Sequence, residues 1–229
     1  GGFAMPWEDN LDAILWASFP GQEGPRALAD ILCGAVNPSG KLPFTIEREY
    51  RDSPAFGDIP PGGTVEQEQP EGEHPLKPGP EGVDTEWPYS ITYDEEVYVG
   101  YRWYEKKQIA PRYCFGHGLS YTSFEYSKLE VSRAGEGAGA RGTAGTSANR
   151  TLAELSLTVK NVGDRPGAEV VQLYVAPSKE RAAIRPAWEL KGYDKVWLQP
   201  GEERTVRMQL FEEDFSYFDA GTESWVLDT

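Results

Sequence analysis

The C-terminal half of the chain has the alternation of apolar and polar residues that β-strands require. Leu155, Leu157 and Val159 alternate with polar residues, and the same alternation recurs at residues 171–175 and 206–210. Turn sequences such as "NVGDRPG" and "QPGEE" separate these runs. Because successive side chains of a strand point to opposite faces, each run predicts a strand with one buried face. Short strands at this spacing favour a β-sandwich of the immunoglobulin or fibronectin-III type.

The N-terminal region has the spacing of helices instead. Within residues 9–36, apolar residues three and four positions apart predict a first helix that begins near Asp9 or Asn10, and "FPGQEGP" ends it. A second helix follows, and Gly34 lies near its end. The turn sequence "NPSGKLPFTI" then leads into a short strand, so the region is typical of an α/β layer. The apolar positions are Leu11, Ile14 and Leu15 in the first helix, and Ala27, Leu28, Ile31 and Leu32 in the second.

Two stretches contain too few apolar residues to join a core. Residues 57–92 are acidic and rich in proline, and we expect a solvated loop there. The Gly/Ala-rich stretch "RAGEGAGARGTAGTSAN", residues 133–149, predicts a flexible loop between the first two strands of the sandwich. Between these two stretches, "YVGYRWY" at residues 98–104 is apolar, and its periodicity fits a strand or a helical turn equally well.

The charge and the cysteine content exclude several classes of function. The 229-residue chain carries 37 acidic and 22 basic residues, and this net charge of −15 disfavours nucleic acid and anionic membranes as partners. Cys33 and Cys114 are too few for a zinc site, so we expect no metal. We expect two separate buried thiols, while a disulfide requires their Cα atoms to lie within about 7 Å. The sequon that begins at Asn149 indicates glycosylation and a secreted protein.

Several motifs in a fixed order resemble one enzyme family. They are "MPW", "ILWASFPGQEGPRALADILCGAVNPSGKLPFT", "YVGYRWYEKKQIAPRYCFGHGLSYTSFEYSKLEVS", and "LTVKNVGDRPGAEVVQLYV" followed by "ELKGYDKVWLQPGE". This set is similar to the C-terminal portion of glycoside hydrolase family 3 enzymes, most of all to the fungal β-glucosidases. The resemblance covers nearly the whole chain apart from the acidic and the Gly/Ala-rich stretches.

The resemblance implies an architecture. Family members of this kind have a (β/α)8-type barrel, then an α/β sandwich domain, then a fibronectin-III-like domain. Residues 1–122 would form the C-terminal half of the α/β sandwich domain, with the acidic loop at 57–92. Residues 123–229 would form the fibronectin-III-like domain without its last strand, which would leave an unpaired sheet edge. The expected fold class is therefore a partial α/β sandwich layer followed by a fibronectin-III-like β-sandwich.

The resemblance also implies an activity for the whole enzyme. It would be a retaining β-glucosidase that hydrolyses terminal non-reducing β-D-glucosyl residues, with no cofactor, and that binds its substrate through the barrel. Retaining glycosidases need two carboxyl groups about 5–5.5 Å apart. In the family the nucleophilic Asp belongs to the barrel and the acid/base Glu precedes "MPW", so no catalytic residue is transferred to this chain, which should be inactive alone. The alternatives are a non-catalytic carbohydrate-binding or structural module and a related β-xylosidase.

Several acidic and aromatic residues are candidates for a functional role. Residues 94–96 form an acidic cluster beside aromatic residues, which favours an exposed charged turn. Tyr93 and Arg102 are kept as candidates for the rim of the substrate cleft. Glu23 lies at a predicted helix start, where the helix dipole favours a charged carboxylate, so it fits a helix-terminus anchor better than a general acid.

The glycine-flanked His117 invites a catalytic or metal-binding role, but the sequence offers it no partner. Gly116 and Gly118 indicate a tight backbone passage with positive φ. We therefore interpret "FGHGLSYTSF" as a connector between the α/β layer and the sandwich, with tyrosine hydroxyls bonded to backbone groups. Phe115, Leu119 and Tyr121 would fill this junction.

Three tryptophans in the sandwich half, Trp188, Trp197 and Trp225, could serve a carbohydrate-binding surface. Exposed rings along a sheet face suit stacking on sugars. Tryptophan in a protein core is more common, so we expect these rings to be buried.

Overall fold

The computed structural model describes residues 4–56, 95–134, 140–141 and 149–228. The predicted acidic loop at 57–92 lies outside these residues. Most of the Gly/Ala-rich stretch does so too, and the expectation of a flexible loop there stays a prediction.

Antiparallel strands form the C-terminal part of the molecule. β3 pairs with β1 on one side and with β6 on the other, and β2 pairs with the beginning of β3. β4 and β5 form a second sheet, and β7 and β8 form a separate hairpin. The three alternating runs lie on β3, β4 and β6, so the predicted strands are confirmed. The strands are β1 (Phe124–Arg133), β2 (Ala140–Arg141), β3 (Asn149–Asn161), β4 (Gly167–Val175), β5 (Glu189–Leu198), β6 (Glu203–Phe211), β7 (Ser216–Asp219) and β8 (Ser224–Leu227).

The core of the molecule lies between the two sheets. Its buried residues lie on β3, β4, β5 and β6, and on β3 and β5 they alternate along the strand, so one face of these strands points inward. Burying one such aliphatic side chain contributes about 1.5–3 kcal/mol. The sandwich therefore has a continuous apolar core of its own. The core consists of Leu155, Leu157 and Val159 of β3, Val171 of β4, Val196 and Leu198 of β5, and Val206 of β6, with Phe124, Leu173 and Met208 packed against it.

Asn161, at the end of β3, is a fully buried polar residue. Its side-chain Nδ2 donates hydrogen bonds to the carbonyls of Arg165 (2.7 Å) and Leu198 (3.1 Å). Its Oδ1 accepts hydrogen bonds from Thr122 Oγ1 (2.7 Å) and the Gly163 amide (3.1 Å). The amide is therefore satisfied on both sides, as a buried polar group must be.

The N-terminal region contains one of the two predicted helices. α1 (Gly24–Leu32) confirms the second helix. The first prediction is wrong, because only a 3₁₀ turn at Glu8–Asn10 precedes a non-helical stretch. The run "AILWASF" is apolar at nearly every position, and such a run fits an extended segment as well as a helix. The short strand predicted after "NPSGK" is reduced to a single bridge between Ile46 and Tyr113.

The ambiguous stretch "YVGYRWY" forms a helix. α2 (Tyr101–Lys107) begins after Gly100, which has φ 56°, and ends at Gln108, which has φ 54°. Lys106 and Lys107 lie in its last turn, where positive charge complements the helix dipole. A further short helix, α3 (Glu212–Phe215), follows β6.

The structure of the connector "FGHGLSYTSF" confirms part of what the sequence predicts for it. Gly116 has the expected positive φ of 79°, whereas Gly118 does not have a positive φ. Gly118 is required for another reason, since a Cβ there would lie 2.1 Å from the Gly40 carbonyl oxygen. Phe115 packs against Tyr101 with ring centroids 5.1 Å apart, as expected of a junction residue.

Two residues of the connector differ from the expectation. Leu119 does not fill the junction, because 78% of its surface is exposed where the connector faces outward. Tyr121 is 43% exposed, although its hydroxyl donates the expected kind of backbone hydrogen bond, to the Ile31 carbonyl at 3.0 Å.

The cysteines are unpaired, but the expectation that they are buried is wrong. Cys33 and Cys114 are both free and exposed. Cys33 follows the last residue of α1, and Cys114 directly precedes the connector, so both occupy surface positions outside the helices and strands.

Candidate functional site

Arg102, a predicted cleft residue, lies in the first turn of α2 and reaches β5. Its Nη2 lies 3.4 Å from Glu189 Oε1, and its Nη1 donates a long, 3.5 Å hydrogen bond to the Val97 carbonyl. The guanidinium is thus engaged by protein groups, with 29% of the side chain exposed. Tyr93, the other predicted cleft residue, lies outside the described residues, so the structure does not bring the two together.

Glu189 connects Arg102 to a second arginine. Arg185 Nη2 lies 2.6 Å from Glu189 Oε2, and Arg185 Nη1 donates to Asp228 Oδ2 at 2.9 Å and to the Phe215 carbonyl at 3.2 Å. The side chains of Arg185 and Asp228 are each 5% exposed. We call Arg102, Glu189, Arg185 and Asp228 the clasp, because they join α2, β5 and the residue after β8.

The environment of Asp228 keeps its carboxylate charged. Burial alone would raise the pKa of Asp228, but hydrogen bonds from Ser178 and the charge and hydrogen bond of Arg185 outweigh it. The pKa of Asp228 is therefore below its usual range. Glu189 also accepts a hydrogen bond from Arg185, so both carboxylates of the clasp serve as acceptors in ion pairs. This arrangement fixes geometry and does not supply a proton to a substrate.

Tyr101 makes the second attachment of α2 to the sandwich. Its hydroxyl accepts a 2.9 Å hydrogen bond from the Leu190 amide, at the beginning of β5. Its ring lies 5.9 Å from the ring of Tyr174 on β4, in an edge-to-face arrangement. Together with the clasp, these contacts place the N-terminal end of α2 against both strands of the second sheet.

Glu47 is the described carboxyl group whose chemistry comes nearest to that of a general acid. It is 2% exposed and bonds to the hydroxyl of Tyr104, itself 4% exposed. Burial raises the pKa of Glu47, and the charge of Asp52 raises it further, while hydrogen bonds to its own backbone and to Tyr104 offset only part of this. A raised pKa suits proton donation. Burial of the side chain, however, keeps any substrate away from it.

The other acidic candidates occupy helix ends and turns. Glu23 lies at the N-terminal cap position of α1, as predicted for a helix terminus, but its side chain makes no capping hydrogen bond. Glu95 and Glu96 lie in the turn before α2, in agreement with a charged turn, and Asp94 lies outside the described residues. For Asn149 only the backbone is described, as the first residue of β3.

His117 contacts an aromatic ring and backbone groups of neighbouring segments, and its architectural role stays a prediction. Its ring lies against that of Tyr113, with centroids 5.1 Å apart. Its backbone amide donates to the Cys114 carbonyl at 3.0 Å, and its carbonyl accepts from the Leu42 amide at 2.8 Å. Among the described residues, no group of three His, Cys, Asp or Glu is placed to hold a metal ion.

The tryptophans of the sandwich half are not core residues, which corrects the expectation. Trp188, Trp197 and Trp225 are 48%, 52% and 72% exposed. Trp197 lies between two buried residues of β5, so strand alternation turns it outward. Trp225 pairs across the β7–β8 hairpin with Phe218, at a centroid distance of 5.8 Å.

Sequence reasoning missed the clasp and the buried carboxyl. Arg185 and Glu189 are four residues apart, a weak signal for an ion pair. Asp228 lies 43 residues from Arg185, and no periodicity in the sequence connects them. Glu47 directly follows the apolar run that ends at Ile46, which was the available hint that a carboxyl enters the interior.

Comparison with protein families shows to which family this chain belongs. The family model for the glycosyl hydrolase family 3 C-terminal domain matches residues 1–121, and that for the fibronectin type III-like domain matches residues 169–229. The chain belongs to glycosyl hydrolase family 3. The resemblance in the sequence is thereby confirmed, as is the fold class of an α/β piece followed by a fibronectin-III-like sandwich.

Individual family 3 proteins are similar over nearly the whole chain. A probable beta-glucosidase J of Neosartorya fischeri is 38% identical, over 97% of this chain and 22% of its own length. A beta-glucosidase of Bacteroides ovatus is 37% identical, over 98% of this chain and 26% of its own length. The structure of a beta-glucosidase from Streptomyces venezuelae in complex with D-glucose aligns over all of this chain and 25% of its own, with 33% identity and a TM-score of 0.76. This family 3 chain therefore spans about a quarter of the length of such relatives.

Within this family 3 chain, the described residues contain no helix that is both long and apolar enough to cross a membrane.

Proposed function

We propose that this chain is the C-terminal portion of a retaining β-glucosidase that hydrolyses terminal non-reducing β-D-glucosyl residues. One observation carries the proposal: the chain aligns over 97–98% of its length with proteins named beta-glucosidases, yet spans only 22–26% of theirs. The two catalytic carboxyl groups would belong to the larger remainder of such an enzyme. The described carboxyls fit this view, because those of the clasp are held in ion pairs and Glu47 is buried.

The first test compares this chain with the product of the reading frame extended upstream of Gly1. Both are assayed on an aryl β-glucoside, and release of the aryl group is followed by absorbance. We expect turnover by the extended protein and none by this chain. Turnover by this chain alone would contradict the assignment of both catalytic carboxyls to other sequence.

The sugar preference is tested on the same extended protein. An aryl β-xyloside is compared with the aryl β-glucoside, because a related β-xylosidase would share this chain's architecture. A higher kcat/KM for the glucoside supports the proposal. A higher value for the xyloside would replace glucosidase with xylosidase.

The domain assignment is part of the proposal. Residues 1–122 belong to the α/β sandwich domain and residues 123–229 to a fibronectin-III-like domain. The family-model matches at residues 1–121 and 169–229 support this division, and so does the position of every described strand after residue 123. Limited proteolysis should leave a stable fragment that begins near residue 123. Equal resistance of residues 1–122 to the protease would argue against the division.

A carbohydrate-binding role without chemistry is a second candidate function. The exposure of Trp188, Trp197 and Trp225 favours it, because accessible indole rings can stack on sugar rings. The test is co-sedimentation of the chain with insoluble β-glucan. Binding by the parent and loss of binding in Trp225→Ala, but not in Trp16→Ala, would support this role. Trp16 is a suitable control because it is 44% exposed but belongs to the N-terminal region.

We also propose that the protein is secreted and carries a glycan on Asn149, and that Tyr93 and Arg102 border the substrate cleft. The sequon supports the glycan, and Arg102 has 29% of its side chain exposed beside Glu189. The glycan is tested by mass spectrometry: peptide N-glycosidase should remove a mass shift that is absent in Asn149→Gln.

The position of the cleft is tested by kinetics. In the extended enzyme, Tyr93→Phe and Arg102→Lys should raise KM, and an unchanged KM would remove both residues from the cleft.

A further inference from the structure

The segment at residues 37–42 is held against β4 by polar contacts. Lys41 Nζ lies 3.2 Å from Glu169 Oε2 and donates a 2.8 Å hydrogen bond to the Gly118 carbonyl. Asn37 Nδ2 donates to the Pro166 carbonyl, just before β4, at 3.0 Å. We call this contact between residues 37–42, the connector and β4 the seam.

Glu169 makes polar contacts with two parts of the molecule at once. Its Oε2 faces Lys41, and its Oε1 accepts a 2.9 Å hydrogen bond from the hydroxyl of Tyr126 on β1. Burial and the nearby carboxylate raise the pKa of Tyr126, so the phenol remains a donor. The side chains of Lys41 and Glu169 are only 17% and 13% exposed. Their attraction is therefore less screened than that of a surface pair.

The two sides of the seam lie so close together that there is no room for a side chain at two of its glycines. A Cβ on Gly118 would lie 2.1 Å from the Gly40 carbonyl oxygen, and a Cβ on Gly167 would lie 2.6 Å from Asn37 Nδ2. Neither glycine has a positive φ, so each is needed for space and not for its backbone conformation. The Lys41–Glu169 pair is thus formed only when the seam is fully closed.

Little apolar surface holds the segment that ends in the seam. Between residues 24 and 46 the buried positions are Gly24 and Ile46. The sandwich, in contrast, keeps its own apolar core whether or not this segment is in place. Elements with few buried apolar contacts open locally at low free energy. The polar contacts of the seam therefore decide the docking of the segment.

We propose that Lys41 and Glu169 form a latch between the N-terminal segment at residues 24–46 and the sandwich. Breaking the latch weakens the docking of this segment while both sheets stay folded. The hydrogen bonds from Asn37 to the Pro166 carbonyl, from the Leu42 amide to the His117 carbonyl and from Tyr121 to the Ile31 carbonyl then remain to hold it. Ile46 is the pivot, because its carbonyl accepts hydrogen bonds from the amides of Arg112 (2.8 Å) and Tyr113 (3.2 Å). The attachment of α2 through Tyr101 and Arg102 is separate and remains.

The test is amide hydrogen exchange followed by mass spectrometry on the whole chain. Lys41→Met, Glu169→Gln and the double variant are compared with the parent protein. We expect peptides from residues 27–42 to exchange about tenfold faster in each single variant, with no further increase in the double variant. Peptides from β3 and β4 should exchange at the parent rate.

A matched control uses the pair Arg204–Glu202, whose atoms lie 3.3 Å apart and whose side chains are 52% and 37% exposed. Arg204→Met should leave exchange in residues 27–42 unchanged. Unchanged exchange of residues 27–42 in Lys41→Met would overturn the latch. An equal increase throughout β3 and β4 would overturn it too, since the pair would then support the whole fold.

Gly118→Ala provides a steric way to open the seam, because it places a carbon against the Gly40 oxygen and 3.1 Å from Lys41 Cδ while both charges remain. It should accelerate exchange in residues 27–42 like the charge variants. If Gly118→Ala opens the segment and Lys41→Met does not, close packing holds the seam and the latch is refuted. None of these outcomes depends on glycosidase activity, so they test the latch separately from the proposed function.

Discussion

The two parts of the chain are stabilised in different ways. The sandwich buries a continuous set of aliphatic side chains, and Val159 and Leu198 are completely enclosed. The N-terminal part encloses Met5, Ile46 and Tyr104 together with a carboxyl group, while Phe19 and other large apolar residues face outward. Apolar burial therefore stabilises the sandwich, whereas the polar contacts of the clasp and the seam hold the N-terminal part to it.

The largest expected effect comes from removing Arg185, the cation that both carboxylates of the clasp share. Arg185→Met leaves the carboxylate of Asp228, whose side chain is 5% exposed, without its cation. Glu189 keeps Arg102 and Lys191 nearby, so the cost arises mainly at Asp228, because a buried charge that loses its partner is costly. We expect the free energy of unfolding to fall by about 4 kcal/mol. Urea denaturation followed by circular dichroism measures it, with Lys195→Met as an exposed charge control. A loss equal to that of the control would mean that the clasp contributes nothing.

A somewhat smaller loss should follow from a cavity in the core. Leu198→Ala removes a side chain with no exposed surface, and the cost should be about 3 kcal/mol. The same urea titration detects it. Ile14→Ala in the N-terminal part, where the residue is 37% exposed, should cost far less. Equal losses in the two variants would remove the distinction between the two parts.

The pH dependence of stability should reveal the buried carboxyl of the N-terminal part. The pKa of Glu47 is raised in the folded state, so the folded chain holds this proton to higher pH than the unfolded chain does. Its contribution to stability is therefore greatest below the unfolded pKa near 4.5 and is lost as pH rises through the folded pKa.

Glu47→Gln should remove this pH dependence. We expect the variant to be about 1 kcal/mol more stable than the parent protein at pH 7 and no more stable at pH 4. Melting temperatures at the two pH values measure the difference. Asp228→Asn should behave in the opposite way, with a loss at pH 7 that shrinks in acid, because the pKa of Asp228 is lowered. Equal behaviour of the two variants would contradict the assigned environments.

The smallest effect is expected at Leu119 of the connector. Leu119→Ser replaces a side chain that is 78% exposed, and the free energy of unfolding should change by no more than about 0.5 kcal/mol. Phe115→Ser, at the contact with Tyr101, should cost several times more. A large loss in Leu119→Ser would show that the connector is packed more tightly than its exposure indicates.

The sandwich could be predicted from the sequence because its signal is local. Alternation in β3, β4 and β6 directly reflects the one buried face of each strand. The first predicted helix failed because "AILWASF" is apolar on all sides, so spacing alone does not separate a helix from an extended segment. The sequence offered α2 only as one of two alternatives, since seven residues are too few for a clear periodicity.

The candidate site was less predictable than the fold. Arg102 follows an acidic cluster in the sequence, but the carboxylate that it contacts belongs to Glu189, 87 residues later in the chain. The seam joins Lys41 to Glu169 over 128 residues. Such pairs depend on the tertiary arrangement, and a single sequence holds no signal for them. The exposure of Trp225 could not be foreseen either, because it depends on how the β7–β8 hairpin is covered.

Asn161 has a consequence for the accuracy of folding. An alternating Leu/Val strand such as β3 could slip by two residues and still present an apolar face to the opposite sheet. Slippage would, however, move this amide away from the two carbonyls that it bonds and leave a polar group unsatisfied in the interior. Asn161 therefore selects one alignment among several that hydrophobicity alone would tolerate, and Asn161→Val should yield a chain with mixed strand alignments.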